Sequence, residues 1–249
     1  MPGISAMLYR EGKIRATNFI YLFWDLIYSL GYFLLFGVGM NHAIGAPATA
    51  AGVDYLSFFL PGVIGMAGFI IASNTAWTFF MDRDNGIFYE MLTYPLRRGQ
   101  LLVGKVMFNV FVAVAQAAVT IAVARWMLGV TLLTSRLPLL LLGVIGGTAG
   151  WFFFFAVFAL KIRRNDVFNT LTSVFYLLIL VSSMFYPLEP LPGWLRVAAY
   201  INPITWQVDF LRFCTLGIGA LGRIAWETAL FVAFSLVSFV IAVRNLQQQ

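Results

Sequence analysis

One cysteine, Cys214, and one histidine, His42, are all the thiol and imidazole in 249 residues. A lone thiol excludes an internal disulfide, and a lone imidazole excludes a His-rich or Cys/His metal cluster within one chain, so no metal site is expected. Charge is scarce too: Asp, Glu, Lys and Arg make up 10% of the chain, against 61% hydrophobic residues. At a mean hydropathy of +0.87, there is too little polar surface to face water, and the solvent is a bilayer. The net charge of +6 sits in short basic clusters between apolar runs, which is the pattern that orients membrane spans, so no nucleic-acid partner is expected. Met1 to Lys13 lacks a signal peptide's apolar core and small-residue cleavage site, so the first span is expected to stay attached. No internal repeat, low-complexity run or soluble domain is visible.

Long apolar runs are abundant. At about 20 apolar residues per helix, they predict one all-α transmembrane domain over 1–249 with six spans, at about 19–40, 56–81, 101–128, 137–160, 168–186 and 224–243. The third and fourth are long enough to tilt or to project beyond the hydrocarbon. Orientation follows from the basic residues. A cytoplasmic N-terminus puts Arg10, Lys13, Arg15, Arg83, Arg97, Arg98, Lys105, Lys161, Arg163, Arg164 and Arg244 inside. It leaves Arg125, Arg136, Arg196, Arg212 and Arg223 outside or near the outer boundary, with both termini cytoplasmic. The segment Tyr9–Asn18 mixes charge and apolar residues, fitting an interfacial helix that Gly12 weakens, or a basic stop that fixes topology.

One inter-span segment is crowded with charge, aromatics and a proline. Residues 82–105 carry Arg83, Arg97, Arg98 and Lys105, a quarter of all Lys and Arg, so this segment is a handle presented on the cytoplasmic side. Within it Gly99 to Lys105 matches G-x-x-x-x-G-K, but Val106 stands where a phosphate loop needs Ser or Thr for magnesium, so the chain itself is not expected to bind ATP. No Ser–His–acid constellation can be built around His42. Asp82 and Asp84 flank Arg83 as charge balance at a helix end. Asp25, near the inner end of the first span, either pairs with a basic residue or lines a polar path, and Arg125 snorkels from the third span.

The stretch from Met184 to Arg212 is too broken by Pro187, Pro190, Pro192 and Pro203 to span. It reads as two short helices, 193–201 and 204–216, hinged at Asn202-Pro203, forming a re-entrant or interfacial segment on the outer face. Trp194, Tyr200 and Trp206 also fit an aromatic belt.

These residues together resemble a known family. Phe59-Leu60-Pro61-Gly62, Glu90 ahead of Tyr94-Pro95, Arg97-Arg98, Gly104-Lys105, Tyr186-Pro187, Leu191-Pro192-Gly193-Trp194-Leu195, Asn202-Pro203-Ile204-Thr205 and Arg212 fall in an order similar to that of type-two permease subunits of ATP-binding-cassette exporters. Drug-efflux, lipo-oligosaccharide and polysaccharide export permeases are of this kind. The resemblance covers nearly the whole chain and implies two permease copies, as a homodimer among membrane lipids, with two copies of a separate cytoplasmic ATPase that binds the ATP and Mg. It implies a coupling segment at 82–100, with Arg83, Glu90, Met91, Leu92, Tyr94, Pro95, Arg97 and Arg98 as ATPase contacts. It also implies an outer gate at 187–216, with Pro187, Pro192, Trp194, Asn202 and Pro203. The first and fifth spans would line the path, which makes Asp25, Tyr28, Phe33, Phe175, Tyr176 and Phe185 its candidates, with ordinary packing as the plainer explanation of the aromatics. The setting would be a bacterial or archaeal cytoplasmic membrane.

Three alternatives stay open at this level. An ion-coupled secondary carrier needs midplane ligands and repeated halves, and neither is evident. An intramembrane enzyme acting on lipid-linked sugars would have only Asp82 and Asp84 as a carboxylate pair, and a non-transport scaffold predicts no ATPase partner. The cargo expected from sequence is amphipathic: a glycoconjugate or lipid-linked saccharide, with drugs close behind.

Overall fold

The computed structural model describes residues 2–44, 52–94 and 98–248, which form eleven α-helices and no strand. Helix α1 (Pro2–Thr17) precedes α2 (Phe19–Gly31), which runs through a π-helical turn, Tyr32–Gly37, into α3 (Val38–Ile44). Then come α4 (Tyr55–Asp84), the short α5 (Ile87–Met91), α6 (Arg98–Leu128), α7 (Leu137–Lys161) and α8 (Asn165–Leu180). The helices α9 (Gly193–Ile201), α10 (Pro203–Leu216) and α11 (Leu221–Gln247) complete the chain. Helices long and apolar enough to cross a membrane occur at Phe23–Ala43, Tyr55–Asp84, Arg98–Leu128, Thr134–Lys161 and Leu221–Gln247.

The helix over the fifth expected span, 168–186, ends early. It is Asn165–Leu180, 16 residues, or about 24 Å at 1.5 Å per residue, short of a hydrocarbon core of about 30 Å. The reason is local. Ser182 Oγ donates to Ile179 O at 2.6 Å, the Tyr186 hydroxyl donates to Leu180 O, and Asn202 Nδ2 donates to Leu178 O at 2.6 Å. Side chains thus take the last carbonyls, and the helix ends before its apolar run does.

Helix α4 is the axle of the bundle. It is buried along most of its length and packs on α6, α7 and α10. Gly62, Gly65 and Gly68, spaced by three on one face, give the close approach. A Cβ at Gly62 would lie 2.7 Å from Met184 Cγ, at Gly65 3.2 Å from Val208 Cγ2, and at Gly68 2.7 Å from Thr148 Oγ1. The Trp151 indole donates to Gln207 Oε1 at 2.6 Å, fixing α10 to α7 in the same layer. At the end opposite α5, Phe33 and Phe185 join Phe59 in an aromatic cluster, with ring centroids 6.4 and 5.6 Å from Phe59.

Helix α1 is unbroken at Gly12, contrary to the expected weakness. Met7, Glu11 and Arg15 are buried on one side while Tyr9 stays open, and α1 packs along α6. The clamp is Gly104, where a Cβ would come 2.5 Å from Met7 Cβ.

Candidate functional site

Asn85 and Gly86 turn the chain out of α4, with Gly86 at φ 79°, a left-handed conformation that glycine adopts without strain. Phe88 is fully buried against Phe79, with centroids 5.8 Å apart, and Met91 is buried beside it. These two pin α5 to the bundle. Ile87, Tyr89, Glu90, Thr93 and Tyr94 point away, Leu92 is half-buried, and the Glu90 carboxylate has no partner among the described residues. Pro95 and Arg97 lie outside the described residues.

Not every residue expected on this surface faces outward. Arg83 is buried, and its guanidinium donates to Leu160 O and Ile162 O at the end of α7. Arg98 donates to Gln247 O at 2.9 Å at the end of α11, and Met91 is turned inward. The two arginines cap helix C-termini, where carbonyls lack intrahelical partners.

Beneath α5 lies an ion cluster that the sequence did not disclose. Lys105 Nζ is 2.9 Å from Glu11 Oε1 and 2.9 Å from Asp82 Oδ2, and Arg10 Nη2 is 2.7 Å from Asp82 Oδ1. This joins α1, α4 and α6. Burial works against the charge of Arg10, but the bonds and charges of Asp82 and Glu11 outweigh it and hold the guanidinium above its ordinary value. The Gly104-Lys105 pair of the G-x-x-x-x-G-K match serves the packing of the bundle, since the glycine admits Met7 and the lysine closes the cluster. Asp82 is consumed here while Asp84 is exposed, so the two do not converge as an enzyme's carboxylates would.

Along the expected path, Asp25 is buried and ion-paired with Arg15, and Asn74 Nδ2 donates to it at 2.9 Å. Arg15 Nη2 reaches Thr75 Oγ1 at 3.2 Å, and that hydroxyl is 3.2 Å from Asn109 Oδ1. Phe33 is fully buried. Phe175 stacks edge-on to Phe154 at 4.9 Å, and Tyr176 edge-on to Phe69 at 5.5 Å. Among the six candidates, Tyr28 is the one plainly exposed, on the same side of α2 as Trp24.

At the opposite end the chain dips inward. Asn202 caps α10, its Oδ1 accepting from Ile204 N at 3.0 Å, and Pro203 takes the first helical position, where no N–H is needed. Pro192 flanks the start of α9 and Trp194 is exposed, while Pro187 lines a cleft with Phe58 and Arg212. Within this end lies a second buried network. Asp209 accepts from Ser183 Oγ and Arg212 Nη1 at 2.7 Å each and from Arg223 Nη2 at 2.8 Å, and Arg223 Nε reaches Glu227 at 2.7 Å. Arg212 and Arg223 were expected as boundary cations. Their i,i+3 and i,i+4 spacing from Asp209 and Glu227 was the available signal.

Among the described residues no group of three His, Cys, Asp or Glu could hold a metal ion. What the structure presents at this end is a short helix anchored on one side and open on the other, seated on a charged base at the end of a buried central helix.

Comparison with known proteins agrees in kind. The chain is 26% identical over 161 residues to "Probable multidrug ABC transporter permease YbhR" of Escherichia coli (strain K12), covering 64% of this chain and 44% of that protein. It is 26% identical over 176 residues to "Daunorubicin resistance ABC transporter permease protein DrrB1" of Streptomyces coeruleorubidus, covering 69% of this chain and 62% of the relative. The chain thus spans about half the length of these curated relatives. The model of the ABC-2 type transporter family matches residues 2–216, and the chain belongs to that family.

Proposed function

We propose that this chain is the membrane-spanning subunit of an ATP-driven exporter, and that α5 docks a separate cytoplasmic ATP-binding-cassette ATPase that binds ATP and Mg. The observation that carries the proposal is α5 itself: Phe88 and Met91 lock it to the bundle, so force applied to Glu90, Leu92 and Tyr94 passes into α4 rather than into a loose loop. From α4 the displacement reaches α10 through the Gly62–Gly68 face, shifting helices as rigid elements and loosening the outer hinge at Asn202-Pro203. In the bundle, α1 and the end of α11 share the α5 end, and this function would put that end in the cytoplasm of a bacterial or archaeal cell.

A second copy would complete the path along the exposed side of α2 and α8, where Trp24, Tyr28, Val174 and Leu177 face outward. The relatives named for multidrug transport and daunorubicin resistance favour an amphipathic drug-like cargo over a glycoconjugate. The secondary carrier finds less support: the buried acids Asp25, Asp82 and Asp209 are already ion-paired, which leaves no free coupling-ion site on them.

The test is co-purification with an ATP-binding-cassette ATPase encoded beside the chain, comparing wild type with Glu90→Arg/Leu92→Asp. Capture by the wild type and loss in a folded double variant is the expected result. Failure of the wild type to capture the ATPase would overturn the proposal.

A further inference from the structure

Beside α5, the ends of three helices long and apolar enough to cross a membrane border a cleft of ≈ 540 Å³. Its walls include Arg83 and Asp84 from the end of α4, Tyr89 from α5, Lys161 and Arg163 from the end of α7, and Asn245 from the end of α11. Three cations face one carboxylate, so the cleft has an excess of positive charge. The cations are not equivalent. Arg83 is occupied with the carbonyls of Leu160 and Ile162. Lys161 and Arg163 are exposed, and neither has a hydrogen-bond or ion-pair partner among the described residues. They are free to bind an anion at no cost to the fold.

Depth tells which anion. The helices α4, α7 and α11 all end at this cleft, so it lies where membrane-crossing helices leave the hydrocarbon, at the level of lipid phosphates. Basic pockets between helix ends at a membrane face are suited to anionic headgroups, each cation near the surface adding roughly fivefold in affinity. Tyr89 supplies a hydroxyl beside the cations, and Asn245, whose Nδ2 reaches Val157 O at 3.5 Å, adds its amide oxygen as an acceptor for a headgroup's hydroxyls. We infer that this cleft binds a phosphate group, presented by the headgroup of an anionic lipid of the adjoining leaflet. Because Tyr89 belongs to α5, a bound headgroup bridges the lever to the ends of α7 and α11 and ties its position to the surrounding lipid.

The experiment uses the full chain purified in detergent. Native mass spectrometry counts phosphatidylglycerol and phosphatidylcholine retained by wild type, by Lys161→Gln/Arg163→Gln and by Arg125→Gln, an exposed cation at the other end of α6. The expected result is preferential retention of phosphatidylglycerol, weakened about 30-fold in the double variant and unchanged in Arg125→Gln. Inorganic phosphate forms a separate arm. Protection of the wild type against heat by millimolar phosphate, with no preference between the two lipids, would identify a soluble phosphate as the ligand and overturn the lipid assignment. Equal retention in wild type and double variant overturns the site altogether. So does loss of ATPase capture by the double variant with lipid retention intact, because the cations would then serve a protein partner. Circular dichroism and thermal unfolding establish that the variants fold, which both exposed positions permit.

Discussion

Lys105→Met removes one buried charge, an ammonium 5.6 Å from the centroid of the Phe79 ring, while keeping an unbranched apolar side chain in its place. In the wild type the ammonium sits 2.9 Å from both Glu11 and Asp82, and its side chain is 1% exposed. Without it, among the described residues two buried carboxylates are left with Arg10, whose side chain is 25% exposed. Removing one partner of a buried ion pair costs about 3–5 kcal/mol, because the remaining charge is left in a poorly solvated site. Arg10→Met removes a partner that water already reaches, and its cost should be nearer 1 kcal/mol. Unfolding of the purified chain by sodium dodecyl sulfate in mixed micelles measures both. The Lys105→Met variant should lie at least 2 kcal/mol below Arg10→Met, roughly a thirtyfold difference in the unfolding constant. The triple variant Lys105→Met/Glu11→Gln/Asp82→Asn, which neutralises the stranded carboxylates, should recover most of the loss. Equal costs for the two single variants, or no recovery in the triple, would refute the assignment of this cluster as the base of α5.

Three further outcomes follow from the packing. Gly104→Val drives a side chain into Met7 and should destabilise the chain by about 1–3 kcal/mol, with α1 becoming open to proteolysis before the bundle unfolds. Gln207→Leu strands the buried Trp151 indole N–H and should cost about 1–3 kcal/mol in the same detergent titration, whereas Gln207→Glu keeps the acceptor. Asn202→Ala removes the α10 cap and the bond to Leu178 O, for a loss of about 1–2 kcal/mol and faster amide hydrogen exchange at Ile204.

Sequence carried the large outlines because composition and apolar run length respond directly to a bilayer. The hinge at Asn202-Pro203 was legible for a different reason: proline cannot continue a helix but can start one, and α9 and α10 break there. The end of α8 was not legible, since the side chains that stop it include Asn202, twenty-four residues beyond the carbonyl it takes. The same holds for Lys105 and Glu11, which are separated by 94 positions, and for Arg83, whose acceptors lie 77 and 79 positions away. A charge beside an apolar run reads as an interfacial cation whether it faces headgroups or a buried partner. Helix periodicity could have marked the Asp209–Arg212 and Arg223–Glu227 pairs, but it gives no sign that Arg223 also bridges the two helices. Of the segment between α4 and α6, the break in the apolar runs was legible and the facing of α5 was not. Phe88 and Met91 point inward while Tyr89 and Glu90 point outward, and five residues of helix are too few to show a stripe.

Cysteine labelling tests the central claim most directly. The single cysteine is buried, so Cys214→Ala gives a background into which Thr93→Cys, on the open side beside α5, and Trp194→Cys, at the other end, are placed separately. A membrane-impermeant maleimide is applied to inverted and right-side-out vesicles, with and without the co-expressed ATPase. Labelling of Thr93→Cys only in inverted vesicles, and its loss when the ATPase is present, is the predicted result, with Trp194→Cys labelled only in right-side-out vesicles regardless of the ATPase. Labelling of Thr93→Cys from the outside, or undiminished labelling with the ATPase bound, would contradict the assignment of α5 as the cytoplasmic docking lever.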